Sequence, residues 1–305
     1  MTLSPDIKRS GFVAIVGRPN VGKSSLLNAL VGQKVAITSF HPQTTRHQIQ
    51  GIKTTESTQI VYVDTPGMHL GQKKALNRLM NKAAQSALQE VDVVVWIIEA
   101  GRFTDEDDLV LEAVHHLPCP VVLAINKVDK IKDKTALLPL IADLSQKMTF
   151  HDIIPISVKT GAQLDVLENI LMSLMKNDVF YFEPNVVSNR SQFFQLSELV
   201  REAAINELAE ELPHAITVEI EGFSKEGKQY QIAAVLWVER ESQKPILIGE
   251  KGERLKIIST NARLEIEQYL QAPVFLQVWV KVKEHWRDNA TALRQMGYDP
   301  NHESF

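Results

Sequence analysis

The run Gly17-Arg18-Pro19-Asn20-Val21-Gly22-Lys23-Ser24 fits G-x-x-x-x-G-K-[ST], and its flanks supply the context that pattern requires. Residues 12–16 form the apolar string of a buried strand, and residues 25–30 have the spacing of a helix start. Strand, glycine-rich turn and helix in succession commit this part of the chain to an α/β fold whose turn wraps an anion. A polyphosphate needs closely packed donors. Glycines let backbone N–H groups turn inward, toward a helix N-terminus that already carries partial positive charge. Gly17, Asn20, Val21, Gly22, Lys23, Ser24 and Ser25 are therefore the expected phosphate contacts, with Lys23 reaching the β/γ oxygens and Ser24 offering its hydroxyl to Mg²⁺.

The turn alone says only that nucleotide phosphates bind; the base is chosen elsewhere. Asn126-Lys127-Val128-Asp129 follows the apolar strand pattern of residues 120–125, about 60 residues beyond Asp64-Thr65-Pro66-Gly67 and about 100 beyond the turn. The carboxylate of Asp129 only accepts hydrogen bonds, so it pairs with the N1–H and exocyclic amine of guanine and rejects adenine, which has an acceptor at N1. Asn126 can bond another edge of the base, the stem of Lys127 can cover its face, and Ser157, Val158 and Lys159 after the strand of residues 153–156 complete the pocket. Asp64 ends the strand of residues 59–63, where its carboxylate can hold Mg²⁺ through a water, and Gly67 can offer its N–H to the γ-phosphate. Such a contact vanishes on hydrolysis, which makes the loop a sensor of nucleotide state. The polar stretch Gln43-Thr44-Thr45-Arg46 suits a second switch loop, with Thr45, or else Thr44, as its Mg²⁺ ligand. No residue is expected as a catalytic base; Asn20 and Thr45 are the candidates for a part in catalysis.

At 305 residues the chain has room for two domains, and 44% apolar content supplies their cores. Strand and helix patterns alternate to about Met175, predicting a mostly parallel sheet with helices on both faces. Residues 177–189, which include Pro184, break both periods and are the expected linker between a domain of residues 1–176 and one of residues 190–305. With Cys119 as its one cysteine, the chain forms no internal disulfide and suits a reducing compartment. Its first ten residues lack an apolar segment and no apolar run approaches the ~18 residues of a membrane span, so neither a secretory signal nor a membrane crossing is expected. His41, His47, His69, His115 and His116 show no metal-ligand spacing.

Beyond the linker, helical spacing runs over residues 197–208 with Ser197 as the expected N-cap. A hairpin pattern follows, of residues 216–221 and 230–238 around Lys225-Glu226-Gly227-Lys228. Then come Gly249-Glu250-Lys251-Gly252, a helix over residues 253–270 and a strand over residues 274–280. A G-x-x-G turn between two helices can bring backbone N–H groups and Lys251 to the phosphates of a single strand, beside an apolar groove that reads about four bases. Gly249, Glu250, Lys251, Gly252, Arg254 and Lys256 are the expected RNA contacts, with Lys281 and Lys283 as further cations or as a solvated strand edge. Acidic residues outnumber basic ones after the linker, so the attraction has to be local. Trp286, Met296 and Tyr298, around a short terminal helix, are expected to pack on the sheet.

On these motifs the first half resembles the translation-factor-like branch of P-loop GTPases, the second half resembles a KH domain of the prokaryotic type, and the whole chain resembles the Era family. That resemblance implies a GTPase using Mg²⁺, and binding to RNA near the 3′ end of 16S ribosomal RNA. It also implies a task in maturation of the small ribosomal subunit, and a cytoplasmic monomer with some peripheral association with the inner membrane. Three positions are informative. Met68 stands where Ras-like enzymes carry a water-orienting glutamine, which predicts slow intrinsic turnover. Val158 replaces the family's commonest alanine, a change of packing alone. Asn20 is similar to the asparagine that helps related GTPases hold K⁺. Two other readings stay open at this point: an RNA-binding assembly factor whose hydrolysis is vestigial, and a membrane-associated signalling GTPase whose second module binds protein.

Overall fold

The computed structural model describes residues 8–41, 44–67, 75–208, 212–289, 291 and 293, in two compact units. The first holds residues 8–36, 45–67 and 80–189; the second holds the described residues of 37–44, 75–79 and everything described from 190 onward. Gln43, Met68, His69, Met296 and Tyr298 lie outside the described residues.

In the first unit, β1 (Arg9–Val16) runs through the glycine-rich turn into α1 (Lys23–Val31). Next come β2 (Ile49–Thr54), β3 (Thr58–Asp64), α2 (Ala75–Ala87, of which residues 75–79 group with the second unit), β4 (Val93–Glu99), α3 (Asp105–His115), β5 (Val121–Asn126), α4 (Leu137–Lys147), β6 (Asp152–Pro155) and α5 (Leu164–Leu174). The sheet order is β2-β3-β1-β4-β5-β6, and every neighbouring pair is parallel except β2 with β3. Continuous apolar runs such as Val93–Ile98 are buried throughout, as a sheet covered on both faces demands. The fold class matches that expected from the alternating patterns. The strand β2 is not legible from periodicity because Ile49 and Ile52 stand three apart, the spacing of a helix face and not the period two of a strand. Gly51 between them lies under α1, where a Cβ would come within 2.7 Å of Leu27 and 2.8 Å of Val31.

Parallel strands order their carboxyl ends along one edge, where an open α/β sheet binds ligands. The glycine-rich turn after β1, Asp64 ending β3, Glu99 ending β4 and Asn126 ending β5 all stand there.

Residues 177–189 carry no named helix or strand, yet they are tied along the sheet of the first unit. Ser10 and Asn177 exchange backbone hydrogen bonds, and Ile52 N donates to the Val187 carbonyl. The fully buried Gln59 amide donates to the Phe182 carbonyl and accepts from the N–H groups of Tyr181 and Phe182. A polar side chain inside a strand, invisible to hydrophobic periodicity, thus fixes this segment.

The second unit comprises α6 (Gln192–Asn206), β7 (Thr217–Glu226), β8 (Gln229–Val238), α7 (Lys244–Ile248), α8 (Glu253–Leu270) and β9 (Val274–Val282). β7 and β8 form an antiparallel hairpin around Gly227, and β9 lies parallel to β8. Leu196 and Val200 of α6 and Ile258, Ala262 and Ile266 of α8 bury their side chains in one core with Ile232 and Leu236 of β8. The helix α6 starts five residues before the expected N-cap. Ser191 accepts from Phe194 N at 3.3 Å, whereas Ser197 lies within the helix and donates to the Phe194 carbonyl. Ile37 joins this core, Thr38 N donates to Glu202 at 2.9 Å, and Arg201 donates to the Thr44 carbonyl at 2.6 Å. Trp286 is fully buried with its indole N–H on the Ala215 carbonyl, a packing role as expected.

Candidate functional site

The turn after β1 needs its glycines for space as much as for conformation. A Cβ on Gly17 would meet the Ile97 carbonyl at 2.4 Å, and one on Gly22, at φ 109°, would meet the Asn126 amide at 2.5 Å. Lys23 folds back under the turn with its Nζ on the Arg18 carbonyl at 2.8 Å, and burial lowers its ammonium to about 8. Gly67 lies against it, since a Cβ there would be 3.2 Å from Nζ. Val21 is fully buried, Ser25 half-buried, and Asn20 exposed at φ 64°.

Three oxygens converge beside that lysine. Ser24 Oγ lies 2.7 Å from Thr45 Oγ1, and Asp64 Oδ2 accepts from Ser24 at 2.6 Å and from Thr45 at 3.3 Å. Burial pushes the Asp64 carboxyl up to about 6, against the pull of Lys23 and of the two hydroxyls. Its Oδ1 is buried with no hydrogen-bond partner among the described residues. A hydroxyl pair and a desolvated carboxylate with an idle oxygen form a hard-donor set that fits Mg²⁺. Of the two threonines considered as ligand, Thr45 is the one whose hydroxyl reaches this cluster; that of Thr44 donates to the His41 carbonyl.

Of the residues expected around the base, Asn126 bonds to Val158 and Asp129 to Ser157. Asn126 Nδ2 donates to the Val21 carbonyl at 2.8 Å and Asn126 Oδ1 accepts from Val158 N, so one side chain joins the phosphate turn to the loop after β6. Lys127 Nζ donates to the Asn20 carbonyl at 2.8 Å. The exposed Asp129 carboxylate accepts from Ser157 at 2.7 Å, a bond that holds its pKa below the usual range and fixes the direction it faces. Lys159 is exposed nearby in sequence.

Sequence motifs missed the buried cluster behind these loops. Arg18, 5% exposed, donates through Nε to Asp107 and through its terminal nitrogen to Glu99, each at 3.0 Å. Asp107 also closes the capping box of α3 with Thr104. The available signals were a carboxylate ending the apolar string of β4 and the Thr-x-x-Asp pattern that starts α3.

In the second unit, α7 and α8 meet at the G-x-x-G turn. Gly249 takes φ 73° and packs so closely that a Cβ would lie 2.7 Å from the Arg254 Cβ; Lys251 and Gly252 also have left-handed backbone. Arg254 donates to the Ile246 carbonyl at 2.6 Å, so it serves first to close the end of α7. Glu250, Lys251 and Lys256 are exposed. Lys281 pairs with Glu221 at 2.7 Å and lies over the Trp237 ring, as does Lys283.

Two family models match, one described as 50S ribosome-binding GTPase over residues 12–127 and one as KH domain over residues 211–287. The GTPase Era of Pseudomonas aeruginosa is 50% identical over 294 residues, 96% of each chain. The chain belongs to the Era family of GTPases. The GTPase Era of Coxiella burnetii is 50% identical over 289 residues, 95% of this chain and 98% of its own. A crystal structure of Era in complex with MgGDPNP and nucleotides 1506–1542 of 16S ribosomal RNA superposes with a TM-score of 0.92 at 37% identity, covering 95% of this chain and 99% of that one. A variant of Aquifex aeolicus Era bound to GDP and AlF4− gives the same TM-score at 36% identity, with the same coverage of both chains. Each of the two Era structures covers residues of both units.

Among the described residues no helix is long and apolar enough to cross a membrane, and no group of three or more His, Cys, Asp or Glu is placed to hold a metal.

Proposed function

We propose that this chain is a GTP-hydrolysing switch that binds the 3′-end region of 16S ribosomal RNA and acts in small-subunit assembly. The single observation that carries the reading is the likeness, over nearly the whole chain, to an Era crystallised with a magnesium-bound GTP analogue and that RNA. Within it, residues 1–176 are the nucleotide switch, 177–189 the connecting segment and 190–305 the RNA module.

Gly17, Asn20, Val21, Gly22, Lys23, Ser24, Ser25 and Gly67 cradle the phosphates, and Asn126, Lys127, Asp129, Ser157, Val158 and Lys159 enclose guanine. Ser24, Thr45 and Asp64 are the residues that would hold Mg²⁺, which when bound neutralises charge between the β- and γ-phosphates. Asn20, at the exposed rim of the cradle, helps hold K⁺. Because Met68 stands where Ras-like enzymes carry a water-orienting glutamine, intrinsic turnover is slow. Gly249, Glu250, Lys251, Gly252, Arg254 and Lys256 form the RNA contact. The protein works as a cytoplasmic monomer with peripheral contact at the inner membrane surface.

Coupling is proposed to run through the stretch around Thr44 and Thr45. Thr45 belongs to the cluster with Asp64, while the carbonyl of its neighbour Thr44 is held by Arg201 of α6. Ordering of that stretch by GTP then alters how the RNA module is held. RNA affinity measured at fixed salt with GDP and with a non-hydrolysable GTP analogue tests this: tighter binding in one state is expected, and equal affinities would remove the switch. Calorimetry should also show GDP binding with ADP excluded; equal binding of both would sink the assignment of the base pocket.

A further inference from the structure

Glu99 ends β4 at a position that no nucleotide motif names. In the pairing of β4 with β5 it stands opposite Asn126, and on its other side β4 pairs with β1, whose end opens into the phosphate turn. Its two carboxylate oxygens divide between those loops. Oε2 accepts from Arg18 of the phosphate turn at 3.0 Å, while Oε1 accepts from Lys127 of the guanine loop at 3.0 Å, with Lys130 at 3.6 Å. Lys127 donates in turn to the Asn20 carbonyl, which closes a ring of contacts through both loops. Asn20 and Lys127 hold left-handed backbone at φ 64° and 66°, a conformation that asparagine tolerates and that is unfavourable for the lysine. The bond from Lys127 to the Asn20 carbonyl thus joins the two loops at their left-handed positions.

We propose that Glu99 is a positioning residue coupling the guanine loop to the phosphate cradle, so that seating the base shapes the loop that grips the phosphates. The inference rests on the nucleotide reading above. An anion is required, because only a carboxylate accepts from two cations through separate oxygens. Desolvation opposes its ionisation, but the hydrogen bonds from Lys127 and Arg18 prevail and hold its pKa below the usual range. Asp107 anchors Arg18 from α3 and so sets where the guanidinium meets Glu99.

The test is release of fluorescently labelled GDP from the full chain by stopped flow. Release about tenfold faster is expected for Glu99→Gln, with partial recovery in Glu99→Asp. A role confined to stability would not produce the second expected result. In a double-mutant cycle, Arg18→Met and Lys127→Met should accelerate release together by at least threefold less than the product of their separate effects, and become independent once Glu99→Gln is present. Strict independence in the wild-type background overturns the proposal even if Glu99→Gln does not fold. Release from folded Glu99→Gln within twofold of wild type overturns the coupling alone, whereas absence of GDP binding by the wild type overturns the nucleotide reading and this inference with it.

Discussion

Asp64 and Lys23 are the residues whose burial is hardest to reconcile with stability alone. The folded carboxyl titrates near 6 against an ordinary 3.8, so the fold favours its protonated form. Stability of the nucleotide-free chain therefore falls as pH rises between those values, and above about 6 the full penalty, on the order of 2–3 kcal/mol, is present. Lys23, lowered to about 8 from 10.5, acts in the opposite sense: its penalty is complete below about 8 and fades as pH rises toward 10.5. Asp64→Asn should thus raise stability by about 1 kcal/mol or more at pH 7.5 in EDTA, with the gap closing toward pH 4.5, as followed by thermal melts. The same change should weaken Mg²⁺-dependent GDP binding. Asp129→Asn makes a second residue-scale test. An amide can donate to the C2 carbonyl of xanthine as Asp129 accepts from the guanine C2 amine, so GDP should lose about a hundredfold or more in affinity while XDP gains. These residues were legible in the sequence because their chemistry is tied to fixed spacing. Arg18, Glu99 and Asp107 were not, because their partnership joins positions about 80 to 90 apart that only the sheet order makes neighbours.

At the scale of elements, caps and close approaches decide the ends. Ser191 caps α6, and Ser191→Ala should lower the urea-unfolding free energy of the second unit by about 1 kcal/mol, whereas Ser197→Ala should change it little. Taking Ser197 as the cap placed the start of α6 too late, although Phe193 already stands three and seven residues before Leu196 and Val200, in register with the later turns. Gly249→Ala meets Arg254 at 2.7 Å and keeps an unfavourable positive φ, so the turn between α7 and α8 should distort. Filter binding should show RNA affinity falling at least tenfold, with GDP affinity unchanged.

For the whole molecule, the decisive residues are those held far from their sequence neighbours. Glu202 accepts both from the backbone and from the hydroxyl of Thr38, and Arg201 holds the Thr44 carbonyl. Glu202→Ala leaves the Thr38 N–H without this acceptor, and the ratio of RNA affinities between the GTP-analogue and GDP states should shrink toward one while each nucleotide still binds. An unchanged ratio in filter binding would exclude Glu202 from the coupling.

What the sequence alone determined was the sheet class, the order of the nucleotide motifs, the G-x-x-G turn and the family, because each rests on short-range pattern: period two, period 3.6, or donors and acceptors at set spacing. Only the tertiary structure decided that residues 177–189 run along β1 to β3, that Ile37–Thr44 groups with the second unit, and that one carboxylate serves two loops. Those facts depend on which distant polar groups find each other once apolar faces are buried, and buried polar pairing leaves no periodic trace along the chain.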